Sequence, residues 1–420
     1  MLGGLPMGVA KVVLGIVLCS SGASQALGGP MEPDWLSPVY AGRGFSTAAT
    51  STSSEAVFAN PAGLSRMRNP RSRDGLHEVN FPRITLTGSE RSLGKLGDAL
   101  GDPQGTTSNP LPEALRAAEP NGNSELRFET RVFPSLVFGG KSAATWLVGA
   151  FSDSRTTLVR QTGSEAGRHE VTRDTTIGGV LGVSASSRSG TVSYGLSVRP
   201  NARYYSRVAD VMMLPETSPA DPTSLAGLQR TLGVGIDAGL LFTAADFWLP
   251  TLGLVVRNLP LGCVAAIEHP YAKSSSTICG ARRSGAIQSG EIRTQVDPTE
   301  VRLGVSMTPR FRLGPERLNL RLSAEASPLV VPLGDASYGL PDVPLESLLK
   351  AGAELYFGHP LIQNSFAIRS GVSDGEATWG VSIGLSFVSI DYASFARRKV
   401  FDDRSNTTTR QHSLGLSAKW

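Results

Sequence analysis

From Ala377 to Phe387 every second residue is apolar: Ala377, Trp379, Val381, Ile383, Leu385 and Phe387. The residues between them are Thr378, Gly380, Ser382, Gly384 and Ser386, small and polar throughout. A period of two is the signature of a strand with unlike faces. The chain ends the same way. Leu414, Leu416, Ala418 and Trp420 share one side of an extended strand, with Gln411, Ser413, Gly415, Ser417 and Lys419 on the other. A soluble sandwich could bury the apolar side. A polar side made mostly of Gly and Ser suits another architecture, in which apolar residues meet lipid and small polar residues line a lumen.

The pattern recurs in Val192–Val198, Leu232–Phe242, Val301–Met307 and Leu318–Ala326, and less completely in Leu252–Val256, Ala351–Phe357, Phe366–Ser370 and Val388–Tyr392. Strand-like stretches near Val79–Gly88, Leu126–Phe138, Trp146–Val159 and Glu170–Ala185 bring the total to about fourteen. Most can supply the ~9–11 residues a tilted membrane strand needs. In lipid every backbone N–H and C=O must be paired within the sheet, so the sheet must close. The expected fold is all-β, a transmembrane antiparallel β-barrel; the competing soluble forms are a large sandwich or a propeller. Composition agrees with the barrel. Charged residues are 18% of the chain, and there are 47 glycines. A mean hydropathy of −0.04 argues against a helical membrane protein, and no apolar run beyond the N-terminus could span as a helix. The net charge of +4 is small and no basic cluster stands out, so nucleic acid is not an expected partner.

Residues 1–26 read as an export signal, with Lys11 in the n-region, Val12–Leu18 as the apolar stretch and Ser24-Gln25-Ala26 before the cut. The alternatives are a lipoprotein acylated at Cys19, against which Leu18 stands where a small residue is expected, and a buried helix. Export leaves Cys263 and Cys279, an even pair expected to form a disulfide. It would close a loop of about 15 residues and contribute ~3 kcal/mol. Metal binding competes weakly, since only His269 is near and the spacing is not that of a metal site.

Three stretches leave the strand pattern: Arg91–Pro120, with Leu93, Leu96 and Leu100 at helical spacing, Pro222–Arg230 and Val343–Leu349. They read as small loop helices whose apolar faces pack on the barrel mouth or receive an apolar ligand, which makes Leu93 and Leu96 candidate contacts. Tyr204, Tyr205, Phe247, Trp248, Tyr356, Phe357, Trp379, Tyr392 and Trp420 sit toward segment ends, as interfacial girdles do. Asp237, Arg257, Arg302, Arg321, Glu325, Glu354, Arg369, Asp391 and Lys419 fall on the lumenal side, where mixed signs read as ion pairs. Catalysis finds little support. His77, His169, His269, His359 and His412 are scattered, and neither a metal nor a cofactor is expected. Gly371-Val-Ser373-Asp-Gly375 fits a nucleophile elbow by letter, but Asp374-Gly375 reads as a hairpin turn rather than an entry into a helix.

Val39–Met67 (VYAGRGFSTAATSTSSEAVFANPAGLSRM) is rich in Ala, Gly, Ser and Thr and lacks alternation. Asn60-Pro61 favours a turn, Pro61 cannot donate to a ladder, and Gly63 permits a left-handed conformation. By composition this is a compact irregular segment or a linker. The small-residue run followed by Phe58, Asn60, Pro61 and Ala62 resembles the opening of the FadL family of outer-membrane hydrophobic-compound channels. Ala351–Phe357, Ile368–Gly371 and Ile390–Ser394 resemble the closing strands of FadL-related barrels, including secretion- and conjugation-associated branches. Between Arg91 and Pro298 only the pattern is shared. The resemblance implies about 14 strands around an N-terminal plug, with residues 27–75 as plug segment and 76–420 as barrel. It implies uptake of long-chain fatty acids or other hydrophobic compounds, which land on the loops and leave sideways at an inward strand kink. A non-transporting scaffold or shuttle for a secretion or surface complex is the alternative. Asn60, Pro61, Ala62 and Gly63 become candidate plug residues, and Phe58 and Leu64 candidate ligand contacts. The other reading of Asn60 and Pro61 is that they only shape the turn that fills the barrel. Trp420 is the candidate barrel-assembly signal. Expected partners are fatty acids or hydrocarbons, outer-membrane lipid and the barrel-assembly machinery.

Overall fold

The computed structural model describes residues 37–67, 76–89, 125–139, 144–161, 168–209, 229–244, 248–259, 263–268, 275–279, 282–286, 292–296, 299–309, 318–331, 348–357, 365–385, 387–401 and 405–418. Within them the chain forms one antiparallel sheet. Its wall strands are β1 (Leu76–Ser89), β2 (Glu125–Gly139), β3 (Ala144–Gln161), β4 (Arg168–Ser186), β5 (Val192–Ala209), β6 (Gln229–Thr243) and β7 (Thr251–Arg257). Four short strands follow: β8 (Cys263–Glu268), β9 (Ser275–Cys279), β10 (Arg282–Ala286) and β11 (Ile292–Val296). The wall resumes with β12 (Thr299–Met307), β13 (Leu318–Val331), β14 (Leu349–Phe357), β15 (Ser365–Ser373), β16 (Glu376–Leu385), β17 (Val388–Phe401) and β18 (Ser405–Ala418).

Each wall strand pairs with the next, β7 pairs with β12, and β1 pairs with both β2 and β18. The result is a closed cylinder of 14 strands. Among the described residues the 14 wall strands leave no open edge. The short strands β8 to β11 are an excursion between β7 and β12, touching the wall where Ser284 and Gly285 face Leu232 and Thr231. A loop was expected there.

The two faces of the wall follow the sequence alternation. Trp146, Val148, Leu181, Tyr194, Leu196, Leu252, Ile368, Ile383, Leu414 and Leu416 are exposed on the outside. Asp237, Arg257, Arg302, Glu325, Glu354, Arg369 and Asp391 are buried on the inside. Only a hydrocarbon solvent makes an apolar exterior and a charged interior the stable arrangement. The long connections (90–124, 210–228, 258–298 and 332–348) all leave one end of the cylinder. The chain enters β1 and leaves β18 at the other, whose connections are shorter. This is the asymmetry of an outer-membrane barrel, whose long loops face outward and short turns face the periplasm.

Several expectations change. Tyr356 lies on the inner face, its ring under the Arg321 guanidinium at 5.6 Å, rather than in a girdle. Strand β5 runs through Pro200 to Ala209 instead of ending near Val198. Asp374-Gly375 is, as expected, the turn of the β15–β16 hairpin, with both residues at positive φ, and a strand rather than a helix follows it. The signal segment, Leu93, Leu96, Lys419 and Trp420 lie outside the described residues, as do most of the three loop-helix stretches.

Candidate functional site: the lumen

The segment 37–67 lies inside the cylinder. It forms short helical turns: α1 (Pro38–Gly42), α2 (Ala56–Ala59) and a 3₁₀ helix over Pro61–Met67. Its position follows from what it touches. A Cβ built on Gly415 of β18 would meet Pro38, on Gly380 of β16 Gly42, and on Gly352 of β14 Arg43. On Gly253 of β7 and Gly304 of β12 it would meet Ala48, on Gly239 of β6 Asn60, on Gly195 of β5 Pro61, and on Gly182 of β4 Val57 and Leu64. One short segment can reach strands all around a closed wall only from within. The small inner face is therefore the space the segment occupies.

Asn60 is its hinge pin. The side-chain amide donates to the Ala48 carbonyl at 2.5 Å and to the wall carbonyl of Leu240 at 3.4 Å, while its oxygen accepts from the Ala62 N–H at 3.1 Å. Pro61 packs where Gly195 has no side chain. Ala62 gives its carbonyl to Ser184 Oγ at 3.0 Å. Gly63 departs from the expected left-handed conformation, which among the described glycines belongs to Gly44, Gly190 and Gly375. It is needed because a Cβ there would strike the Ser51 backbone.

Ion pairs bind the segment to the wall in a circuit. Glu354 accepts from Arg43 of the segment at 3.0 Å, from Arg321 at 3.2 Å and from Arg369 at 2.7 Å. Arg369 donates to Ser382, which donates to Asp391. Asp391 pairs with Arg83 at 2.6 Å, and Arg83 returns to the segment at Glu55, 3.1 Å away. Glu325 accepts the backbone N–H groups of Thr47 and Ala48, the latter at 2.7 Å. Toward the extracellular half, Glu129 accepts from Arg127, Arg131 and Arg155, while Arg199 and Arg302 pair with Asp237 at 2.8 Å and Glu300 at 2.9 Å. Such charges are stable inside the barrel only because each carboxylate meets several donors.

One sector of the lumen is not polar. Phe58 packs edge-on against Phe133 at 5.0 Å and Phe151 at 5.4 Å. Ala56, Val57, Leu64, Met67, Val137, Leu147 and Val180 complete the buried cluster. Phe133 lies over Gly149 and Phe151 over Gly178, glycines of the neighbouring strands that make room for the rings. Phe58 and Leu64 were expected from the sequence. The wall residues were not, although β2 and β3 signal them by carrying apolar residues on both faces.

The wall is irregular beside this cluster. Pairing of β1 with β2 shifts between Asn80 and Arg83, around Phe81 and Pro82. Between β2 and β3 the ladder skips Phe133 and Pro134, and between β4 and β5 it skips Gly179 and Val180 opposite Arg199 and Pro200. Proline has no N–H to give a ladder, so Pro82 and Pro134 weaken the sheet at mid-height on the adjoining strands β1 and β2, and Pro200 does the same on β5. Elsewhere, β8 and β9 set Cys263 and Cys279 directly opposite each other in register.

A closed 14-stranded cylinder with an apolar exterior, a charged interior and both ends of the barrel on the short-turn side is an outer-membrane β-barrel protein. No protein-family model matches the chain, and no curated protein matches it significantly. Among solved structures it is similar to the Pseudomonas putida toluene transporter TodX, with 12% identity, a TM-score of 0.46, and 92% of this chain and 99% of that one covered. It is similar to the CymD monoaromatic hydrocarbon channel, with 13% identity, a TM-score of 0.46, and 91% and 96% covered. A Pseudomonas aeruginosa FadL homologue aligns at 10% identity and a TM-score of 0.35, over 91% and 97% of the two chains.

Proposed function

We propose that the protein is a diffusive channel for hydrophobic compounds across the outer membrane, with long-chain fatty acids as the first candidates. An apolar solute cannot cross the polar outer layer of such a membrane unaided, yet gains ~0.8 kcal/mol per CH₂ once it meets an apolar surface. In this reading it passes from the extracellular loops to the cluster around Phe58. The segment 37–67 is the plug that denies it a straight path to the periplasm. It leaves sideways through the wall near Pro82 and Pro134, where fewer backbone hydrogen bonds have to part. The observation that carries the reading is the coincidence of the one large apolar lumenal cluster described with the interrupted stretch of β1, β2 and β3.

The circuit from Arg43 through Glu354, Asp391 and Arg83 to Glu55 favours a second reading, a sealed barrel serving as a scaffold in a surface or secretion complex. Uptake of labelled oleate into proteoliposomes separates the two. The channel reading expects saturable uptake that falls about tenfold or more in Phe58→Ala, with the barrel still folded. Uptake no faster than in empty liposomes would remove it and leave the scaffold.

A further inference from the structure

We propose that the outer surface of β16, β17 and β18 carries a site for a phosphorylated lipid of the outward-facing leaflet. Arginines of the inner wall sit against carboxylates, as the lumenal ion pairs show. Arg410 does not. It lies on the outer face of β18, in the same alternate set as the lipid-facing Leu414 and Leu416. Its guanidinium donates to Ser394 Oγ at 2.9 Å and to the Ala377 carbonyl at 3.1 Å, and no carboxylate pairs with it among the described residues. Among the described residues, two neutral oxygens fix its direction and bring no opposite charge to it. Three of its five N–H groups remain for a ligand.

The surroundings are an ordered shelf. Trp379 and Tyr392 rings lie 5.1 Å apart, the Tyr392 hydroxyl contacts His412 Nδ1 at 2.6 Å, and the Tyr392 and His412 rings stack at 6.0 Å. Ser394 and Ala396 belong to the outward set of β17, yet are 1% and 3% exposed. Ser394 pairs in the ladders with Trp379 and His412, and Ala396 with Arg410.

The height of the shelf names its partner. From Ala418 to Arg410 is about 27 Å along the strand, or roughly 20 Å along the membrane normal at a tilt near 40°. That is close to the ~25 Å apolar band of such barrels, so Arg410 stands at the headgroup level of the leaflet on the long-loop side. Ile390, Leu414 and Leu416, exposed directly below, continue the surface down into the acyl layer. A cation with open donors above such a strip suits an anionic, phosphate-bearing headgroup whose chains lie along the strip. A neutral lipid would leave the guanidinium unpaired.

The test uses the full-length protein in detergent and native mass spectrometry. Binding of diphosphorylated lipid A is compared with that of its dephosphorylated form. The wild type should retain the diphosphorylated form about tenfold better, a typical value for charge-assisted hydrogen bonds. Arg410→Gln should remove most of that preference and Arg410→Lys should keep much of it. Arg188→Gln, at an exposed turn on the opposite end, should change nothing. Heat-modifiable gel migration reports whether each variant folds. Equal retention of both lipids by the wild type overturns the proposal without any variant, as does a full preference in folded Arg410→Gln.

Discussion

Replacing Gly195 and Gly253 together by alanine should unseat the lumenal segment while leaving the barrel intact. A Cβ on Gly195 would fall 2.5 Å from the Ala62 nitrogen and still closer to the Pro61 carbonyl. One on Gly253 would fall 2.7 Å from the Ala49 nitrogen and closer to the Ala48 carbonyl. Ordinary contact begins at 3.4 Å, so each site demands a movement near an ångström. The obstructing atoms are backbone in both places, and no rotamer change can clear them. Overpacking of this kind costs about 1–3 kcal/mol per site. The sites touch different parts of the segment, so their costs should add to about 2–6 kcal/mol. The strands themselves gain slightly, since alanine is better tolerated than glycine within an element by roughly 0.5–1 kcal/mol. Single-channel recording in planar bilayers should show a larger and noisier conductance than wild type, and limited proteolysis should cut within 37–67. Gly179→Ala is the control, because a Cβ there has nothing nearer than 3.8 Å. If the double variant folds, conducts as the wild type does and resists protease, the account of the inner glycines is wrong.

Glu354→Gln removes the shared partner of Arg43, Arg321 and Arg369 while keeping its shape. It should destabilise by about 3–5 kcal/mol, as breaking buried ion pairs does, read as a lower urea midpoint for refolded protein. Cys263 and Cys279, opposed in register, should be joined in exported protein. A free-thiol alkylation count that drops to zero without reductant would agree, and two reactive thiols per mature chain would not.

The wall was legible because its selection rule is local. Each strand must be apolar at alternate positions, and Ala377–Phe387 satisfies that rule without reference to any other part of the chain. The inward charges obeyed the same parity, so Asp237, Arg257, Glu354 and Asp391 could be placed before their partners were known. Their partners could not. Arg43 and Glu354 are 311 residues apart, and Arg83 and Asp391 are 308, separations at which nothing in a single sequence fixes a pair. Tyr356 was misplaced because an aromatic residue near a strand end suits a girdle and a cation–π contact equally well. The apolar lumenal sector was missed for a related reason. Phe133 and Val137 face inward while Leu136 and Phe138 face outward, so β2 shows no alternation to read. Phe58, which accounts for the inward set, lies before the first strand. Gly63 illustrates a further limit: the letter allowed two reasons for glycine, and only the approach of Ser51 chooses between them.

Closure of the cylinder joins β1 to β18, the first wall strand to the last, and Arg83 of β1 reaches Asp391 of β17 across that seam. The same guanidinium holds Glu55, which precedes both. The seam and the segment are therefore coupled. Arg83 has both carboxylate partners only when the ring is closed and residues 37–67 are inside it. A single arginine thus records that the earliest described stretch of the chain and its closing strands have met.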